Sequence, residues 1–404
     1  MLGLYRVLDF RGKLKLSTIT SPGVDLTTNG FMTSWAKWLP IFAERLAKET
    51  GMEARIPRHA VDGSLRLTPN LIPLIRKGAP NSGGLSSAAA LPLDIVAWTF
   101  APIKLQTAMS IYLQAVGGEE LVWALKPHID AVREHKEVIT ERETECVRGG
   151  NPFAANPFTA DPQRAHHGPW EPESRVRITR RTIYKCLESW GPVMALGRLG
   201  FKHEPGKIRV FAMCDAITQA LLDPLHKWIF KRLKAIAADG TFAQDEPLAN
   251  LIKRMDDPSK SFVASYDLSA ATDRLPLVLQ QMILEQVGNG RFARSWASLL
   301  VERPYLLPKE AKSWNLGFNE VKYTVGQPMG ALSSWAMLAI THHCIVQLAA
   351  FNAGRTRKGG WFQDYAVLGD DIVIANESVA SEYLKIMNLI GVEIGLAKSL
   401  VSSQ

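Results

Sequence analysis

Four aspartates carry the chemistry this sequence offers most plainly. Asp267 closes a short apolar run, Phe262 to Tyr266, and opens the segment Asp267-Leu-Ser-Ala-Ala-Thr-Asp273. Asp370 and Asp371 follow Gly369 between two further apolar runs, Tyr365 to Leu368 and Ile372 to Ala375. Both clusters fall where an apolar strand should turn, so their carboxylates point away from the sheet. Adjacent carboxylates repel, and burying them together without a cation is costly. A hard divalent cation resolves that conflict, and Mg²⁺ typically takes one or two carboxylates plus substrate phosphates. Two such ions, about 3.5–4 Å apart, serve in-line phosphoryl transfer. In that reading Asp267 and Asp370 bridge the ions and Asp371 assists. An Asp-Asp pair alone is as well explained by a surface turn. The added specificity comes from the two apolar strands and from a Gly-rich loop, Gly326-Gln-Pro-Met-Gly330, lying between the clusters.

The elements that must position these groups are legible from periodicity. Lys207 to Met213 alternates and predicts a strand, and Asp215 to Ile236 predicts a helix containing Pro224. Leu277 to Val287, Leu332 to Phe351 and Ser381 to Ile390 have helical spacing, and Val392 to Ile394 reads as a strand. The hairpin around Gly369-Asp370-Asp371 has tight-turn chemistry. Strands mixed with helices around a hairpin give an α+β fold.

Upstream, Thr33 to Ala47 predicts an apolar helix, and Leu121 to Arg148 an exposed, charge-laced one. The prolines between Gly149 and Pro172 predict a long loop and the best domain boundary. A basic run, Arg175 to Lys185, follows. The expected division is a helical fingers region over 1–150, a Pro-rich loop over 151–175, fingers with a basic strand over 176–260, and a catalytic core over 261–404.

Composition narrows the setting. The 404 residues carry a net charge of +8, which suits a polyanionic partner or simply a soluble basic protein. The four cysteines form no CxxC pair, which argues against a zinc ribbon and a disulfide scaffold and fits a reducing compartment. The most apolar stretch, Ala90 to Val116, contains Asp94 and Lys104, so it reads as a buried helix pair and no integral membrane segment is expected.

Five blocks in order carry a resemblance: EPGKIRVFAM (Glu204–Met213), YDLSAATDRLP (Tyr266–Pro276), GQPMGALSSWAMLAITHH (Gly326–His343), YAVLGDDIVIAN (Tyr365–Asn376) and GVEIGLAKSLVS (Gly391–Ser402). Together they resemble the palm motifs of viral RNA-dependent RNA polymerases, most closely those of mitoviruses in the narnavirus-like lineage. The resemblance implies a right-hand polymerase with fingers and an antiparallel palm sheet flanked by helices. It implies single-stranded RNA template, nascent RNA and nucleoside triphosphates as partners, with two Mg²⁺ ions, or Mn²⁺ in their place. It further implies replication in a host mitochondrion, the alternative being the cytoplasm.

By the same resemblance, Asp267, Asp370 and Asp371 are metal ligands, and Asp273 senses the ribose 2′-hydroxyl that separates RNA from DNA precursors. Lys207 and Arg209 cover the triphosphate, where a bidentate guanidinium suits phosphate oxygens, with Lys202 assisting on RNA. Gly326 and Gly330 are counted with the RNA-binding residues, flanking a loop that must move as template and nucleotide pass, and glycine tolerates the dihedrals required. Ser333 and Ser334 are candidates to bond Asp273 or the nascent base pair, or else cap their helix. Lys398 protonates the leaving pyrophosphate, or is a solvent-facing lysine. His342 and His343 read as core histidines. The position where related enzymes carry a ribose-binding Asn is Leu338 here.

The chain ends 33 residues beyond Asp371, so the resemblance leaves the thumb missing or truncated, supplied by an absent segment or a second chain. Two alternatives stay open. One is a reverse transcriptase, against which stand Leu368-Gly369 before the Asp pair and the presence of Asp273. The other is an inactive remnant that only binds RNA.

Overall fold

A computed structural model describes residues 14–28, 30–69, 80–81, 87–99, 101–118, 121, 195–204, 207–255, 262–308, 311, 316–356, 360–395 and 399–403. The expected helix Leu121–Arg148, the Pro-rich loop, the basic run and Lys398 lie outside the described residues, apart from Leu121 itself.

The helices are α1 (Ser17–Thr20), α2 (Phe31–Thr50), α3 (Ser87–Thr99), α4 (Ile103–Ala115), α5 (Ala216–Leu233), α6 (Glu246–Met255), α7 (Ala271–Arg274), α8 (Leu277–Val287), α9 (Gly290–Val301), α10 (Leu332–Asn352) and α11 (Glu377–Leu389). The strands are β1 (Gly197–Glu204), β2 (Lys207–Cys214), β3 (Phe262–Asp267), β4 (Tyr305–Leu306), β5 (Glu320–Val321), β6 (Tyr365–Leu368), β7 (Asp371–Ile374) and β8 (Leu400–Ser403). They form two four-stranded sheets, ordered β2-β1-β4-β5 and β6-β7-β3-β8. Every pairing in the second sheet is antiparallel. The α+β expectation holds, and Ala90 to Val116 falls in the helix pair α3–α4.

One helix organises the second sheet. α10 carries apolar or small residues around its whole circumference, so it cannot sit on a surface. It passes between α5, α11 and α2. By length and composition it could cross a membrane, a property the sequence reading assigned to no segment. Yet 89% of its apolar window is buried inside the fold, which makes it a core helix. Several of its polar side chains are satisfied internally. His343 bonds Tyr365 and Asp239 at 2.7 and 2.9 Å. Gln347 exchanges two hydrogen bonds with the backbone of Phe362.

Two expectations need correction. Val392–Ile394 is no strand; Ile394 makes only an isolated bridge to Leu268. The edge of the sheet is instead β8, paired with β3 from Ser265–Leu400 to Phe262–Ser403. Also, β1 pairs along its full length with β2, a hairpin whose first strand the periodicity did not single out. β1 is hard to see because Gly197 and Gly200 interrupt it. Gly200 faces the ring of Phe211, leaving no room for a side chain.

Candidate active site

The open end of the second sheet gathers the acidic residues. Tyr266, Ile372 and Val367 share one face of three neighbouring strands, and all are buried. Tyr266 stacks on Tyr383 of α11 at 5.9 Å, which closes that face. Because side chains alternate along a strand, Asp267 and Asp371 must project from the opposite face. They stand directly across from each other in the β3–β7 register. Asp371 is exposed, while Asp267 and Asp370 are half-buried. The N–H of Leu268 donates to the carbonyl of Asp370 at 3.1 Å, tying the two acidic segments together by backbone.

The turn between β6 and β7 is two residues long, with Gly369 at φ 62° in the first central position, the conformation a II′ hairpin turn requires. A side chain at Gly369 would also strike the ring of Trp335. From below, His342 holds the turn. Its Nδ1–H donates to the Gly369 carbonyl at 2.8 Å, so its Nε2 must accept from the Tyr383 hydroxyl, also at 2.8 Å. Burial pushes the imidazole down to about pKa 4, keeping it neutral. His342 is thus the core histidine expected, but with a definite task.

The Gly-rich loop is packed closely against its neighbours. Gly326 and Gly330 read as hinges of a moving loop. In the structure, a Cβ on Gly326 would collide with the backbone of Thr272 and Asp273, and one on Gly330 with the carbonyl of Ala212. Gly330 also has φ 127°, a region L side chains rarely enter. These glycines allow close backbone approach. The N–H groups of Gly326 and Gln327 donate to the carbonyls of Asp273 and Thr272 at 2.9 Å each, and Ala212 donates to the Met329 carbonyl at 2.6 Å. The loop thereby joins β2 to the turn carrying Asp273. Gln219, which the sequence did not flag, bonds the Gly330 carbonyl and the Leu332 N–H, both at 2.9 Å.

Ser333 and Ser334 are buried and neither caps α10. The Ser333 hydroxyl accepts from the Trp296 indole at 2.9 Å. The partner of Asp273 is Thr18, whose hydroxyl donates to Asp273 Oδ2 at 2.8 Å. Burial lifts Asp273 to about pKa 6, against the lowering effects of Thr18 and the neighbouring Arg274. No sequence signal could have found Thr18, which lies 255 residues away.

Lys202 and Arg209 are exposed cross-strand neighbours on the β1–β2 hairpin, a compact cationic pair. Lys207 lies at the start of β2.

The acidic donors are all carboxylate oxygens, a set that fits Mg²⁺ or Mn²⁺ and not a soft metal. Among the described residues, no three His, Cys, Asp or Glu side chains form a ready-made metal cluster. A site completed by substrate phosphates needs only one or two carboxylates, so the donor set remains suited to the group.

A family model described as "Mitovirus RNA-dependent RNA polymerase" matches residues 75–404. The RNA-directed RNA polymerase of Cryphonectria parasitica mitovirus 1 is 46% identical over 214 residues, 53% of this chain and 24% of that protein. An uncharacterized mitochondrial protein of Arabidopsis thaliana is 43% identical over 173 residues, 42% of this chain and 64% of its own length. Among solved structures, the RNA-dependent RNA polymerase of a human picobirnavirus aligns with a TM-score of 0.39 at 19% identity, over 52% of this chain and 41% of that one. The chain thus spans about a quarter of the viral relative and under two thirds of the plant one. The match over most of its length means that the chain belongs to the mitovirus RNA-dependent RNA polymerase family.

Proposed function

We propose that this chain carries out RNA-templated RNA synthesis by two-metal-ion nucleotidyl transfer, copying a viral RNA genome. The observation that supports this most is the registry of Asp267 against Asp371, with the Leu268 N–H bonded to the Asp370 carbonyl. It brings acidic residues from two distant segments to one end of one sheet.

In the reaction, the 3′-hydroxyl of nascent RNA loses its proton and its oxygen attacks the α-phosphorus of a nucleoside triphosphate. The bond to the β-phosphate breaks and pyrophosphate leaves. Asp267, Asp370 and Asp371 would hold Mg²⁺, or Mn²⁺. Bound there, the ions lower the pKa of the attacking hydroxyl and neutralise charge on the leaving group. Arg209 and Lys207 contact the triphosphate, Lys202 contacts RNA, and Asp273 accepts from the ribose 2′-hydroxyl. Lys398 delivers the proton to pyrophosphate. Ser334 keeps a role beside the nascent base pair, at the start of α10. Residues 261–404 act as the palm. A mitochondrial setting is supported by the viral and plant relatives.

The test is incorporation on a heteropolymeric RNA template with Mg²⁺. The expected product is complementary RNA made from ribonucleotides. Incorporation of deoxynucleotides alone would identify a reverse transcriptase. RNA binding without incorporation would identify a binding remnant. Either result overturns the proposal.

A further inference from the structure

The N-terminal segment is fastened to the turn that carries Asp273, and nothing in the chemistry above uses it. α1 packs on α7. Arg274 donates from Nη1 to the Ser21 carbonyl at 2.8 Å and from Nη2 to that of Pro22 at 3.0 Å. Thr324, just before the Gly-rich loop, donates its N–H to the Ile19 carbonyl at 3.1 Å and its hydroxyl to that of Ser21 at 2.7 Å. Ile19 is buried beneath the segment, at 1% exposure. The strap therefore grips both sides of the loop–turn junction, and from its middle Thr18 reaches the Asp273 carboxylate at 2.8 Å.

We propose that Thr18 is a positioning residue for sugar selection: its hydroxyl fixes the Asp273 carboxylate so that the opposite oxygen meets a ribose 2′-hydroxyl. The inference rests on the role given to Asp273 above.

A carboxylate turns easily about its last side-chain bond, whose preferences are broad and two-fold. Without a partner on Oδ2, the other oxygen would sweep an arc, and a hydrogen bond to a ligand hydroxyl would have to bear the cost of stopping it. Preorganisation removes that cost. The backbone beneath is equally constrained. Ala270 adopts φ 50°, an unusual value for a residue with a side chain, and so aims the single turn of α7. Arg274 fixes the same turn from its far end. Carboxylate, turn and strap thus form one unit, in which Thr18 touches the selecting group through a side chain that can be altered without changing shape.

The experiment is equilibrium binding of ATP and 2′-deoxy-ATP to the full chain with Ca²⁺, which permits nucleotide binding without turnover. Wild type, Thr18→Val and Thr18→Ser are compared. Wild type should prefer the ribose form. Thr18→Val, which keeps the shape and loses the hydroxyl, should weaken ATP roughly tenfold, the scale of one hydrogen bond to a charged group. 2′-Deoxy-ATP should be almost unaffected, and Thr18→Ser should restore the preference. In an Asp273→Ala background, Thr18→Val should change nothing further. Equal weakening of both nucleotides by Thr18→Val would show a merely structural role and overturn the inference. So would an unchanged ratio, or a wild type with no sugar preference. Incorporation is scored separately: a Thr18-dependent sugar preference without any synthesis would sink the polymerase reading and leave this one intact.

Discussion

Two acidic clusters in this molecule are built on opposite plans. Asp94 and Asp215 lie fully buried between α3, α5 and the segment after α9. Asp94 accepts from Asn81 and from the Ala216 N–H, both at 2.7 Å. Asp215 accepts from Trp98 and the Thr218 N–H at 2.9 Å each, and pairs with the buried Arg303. Burial, and then the charge of Asp215, push the Asp94 carboxyl well above the usual carboxylate range. The protein thus supplies its own donors, and the cluster serves as cement. Asp267, Asp370 and Asp371 sit at a sheet end and a turn tip, half-buried or exposed. Their backbone is held by the His342 bond to the turn and by the β3–β7 ladder, with Asp267 and Asp371 on the face opposite the buried Tyr266. Fixed backbone with outward carboxylates suits a cation and a triphosphate, and internal neutralisation suits stability.

That contrast can be broken by mutation, and the largest effect belongs to the open cluster. Asp370→Asn should reduce RNA synthesis to background, leave RNA affinity within about twofold and barely move the urea midpoint, because phosphate contacts made elsewhere dominate affinity. In the closed cluster the pattern should invert. Arg303→Met leaves the buried Asp215 carboxylate without its cation and should cost about 3–5 kcal/mol in denaturant unfolding. Asp370→Asn unfolding as readily as Arg303→Met would erase the distinction.

A smaller effect separates Asp273 from both clusters. Its carboxyl is raised to about 6 from 3.8, so the folded state holds the proton more tightly than the unfolded one. The cost of ionisation is therefore fully present above pH 6 and is relieved as pH falls toward 4. Asp273→Asn lacks that cost. Its stability relative to wild type should be greatest near pH 7 and decline by up to about 2 kcal/mol by pH 4, after allowance for solvent screening. His342 contributes equally to both proteins and cancels in the difference. A pH-independent gap would contradict the assignment. The smallest effect is Ser333→Ala, which removes the acceptor of the Trp296 indole with little change in volume and should cost about 1 kcal/mol.

Much of this was legible in the chain, and the rest was not for identifiable reasons. The predicted bounds Leu277–Val287 and Tyr365–Leu368 match α8 and β6 because apolar periodicity and turn residues coincide there. β3 ends on Asp267 for the same reason, with Tyr266 inside and Asp267 outside. β8 was missed because its exposed Leu400 and Val401 break the expected inward–outward pattern of an edge strand. Gly330 has the unusual dihedral that glycine permits, and both Gly326 and Gly330 also allow close backbone approach, a demand that only packing reveals. Ser333 reads as a partner of Asp273 or of a base pair, or else as a helix cap; in the fold it does not cap, and its hydroxyl is engaged by the core residue Trp296. Thr18 and Gln219 act through contacts made only in the folded chain, which local pattern cannot encode.

The central claim is that Asp267, Asp370 and Asp371 share bound metal. Iron(II) substituted for magnesium, with ascorbate and peroxide, cuts the backbone beside the metal it replaces. Cleavage is expected near residues 267 and 370, suppressed by excess Mg²⁺ and by Asp370→Asn. Cleavage elsewhere alone, or cleavage indifferent to Asp370→Asn, would contradict the account.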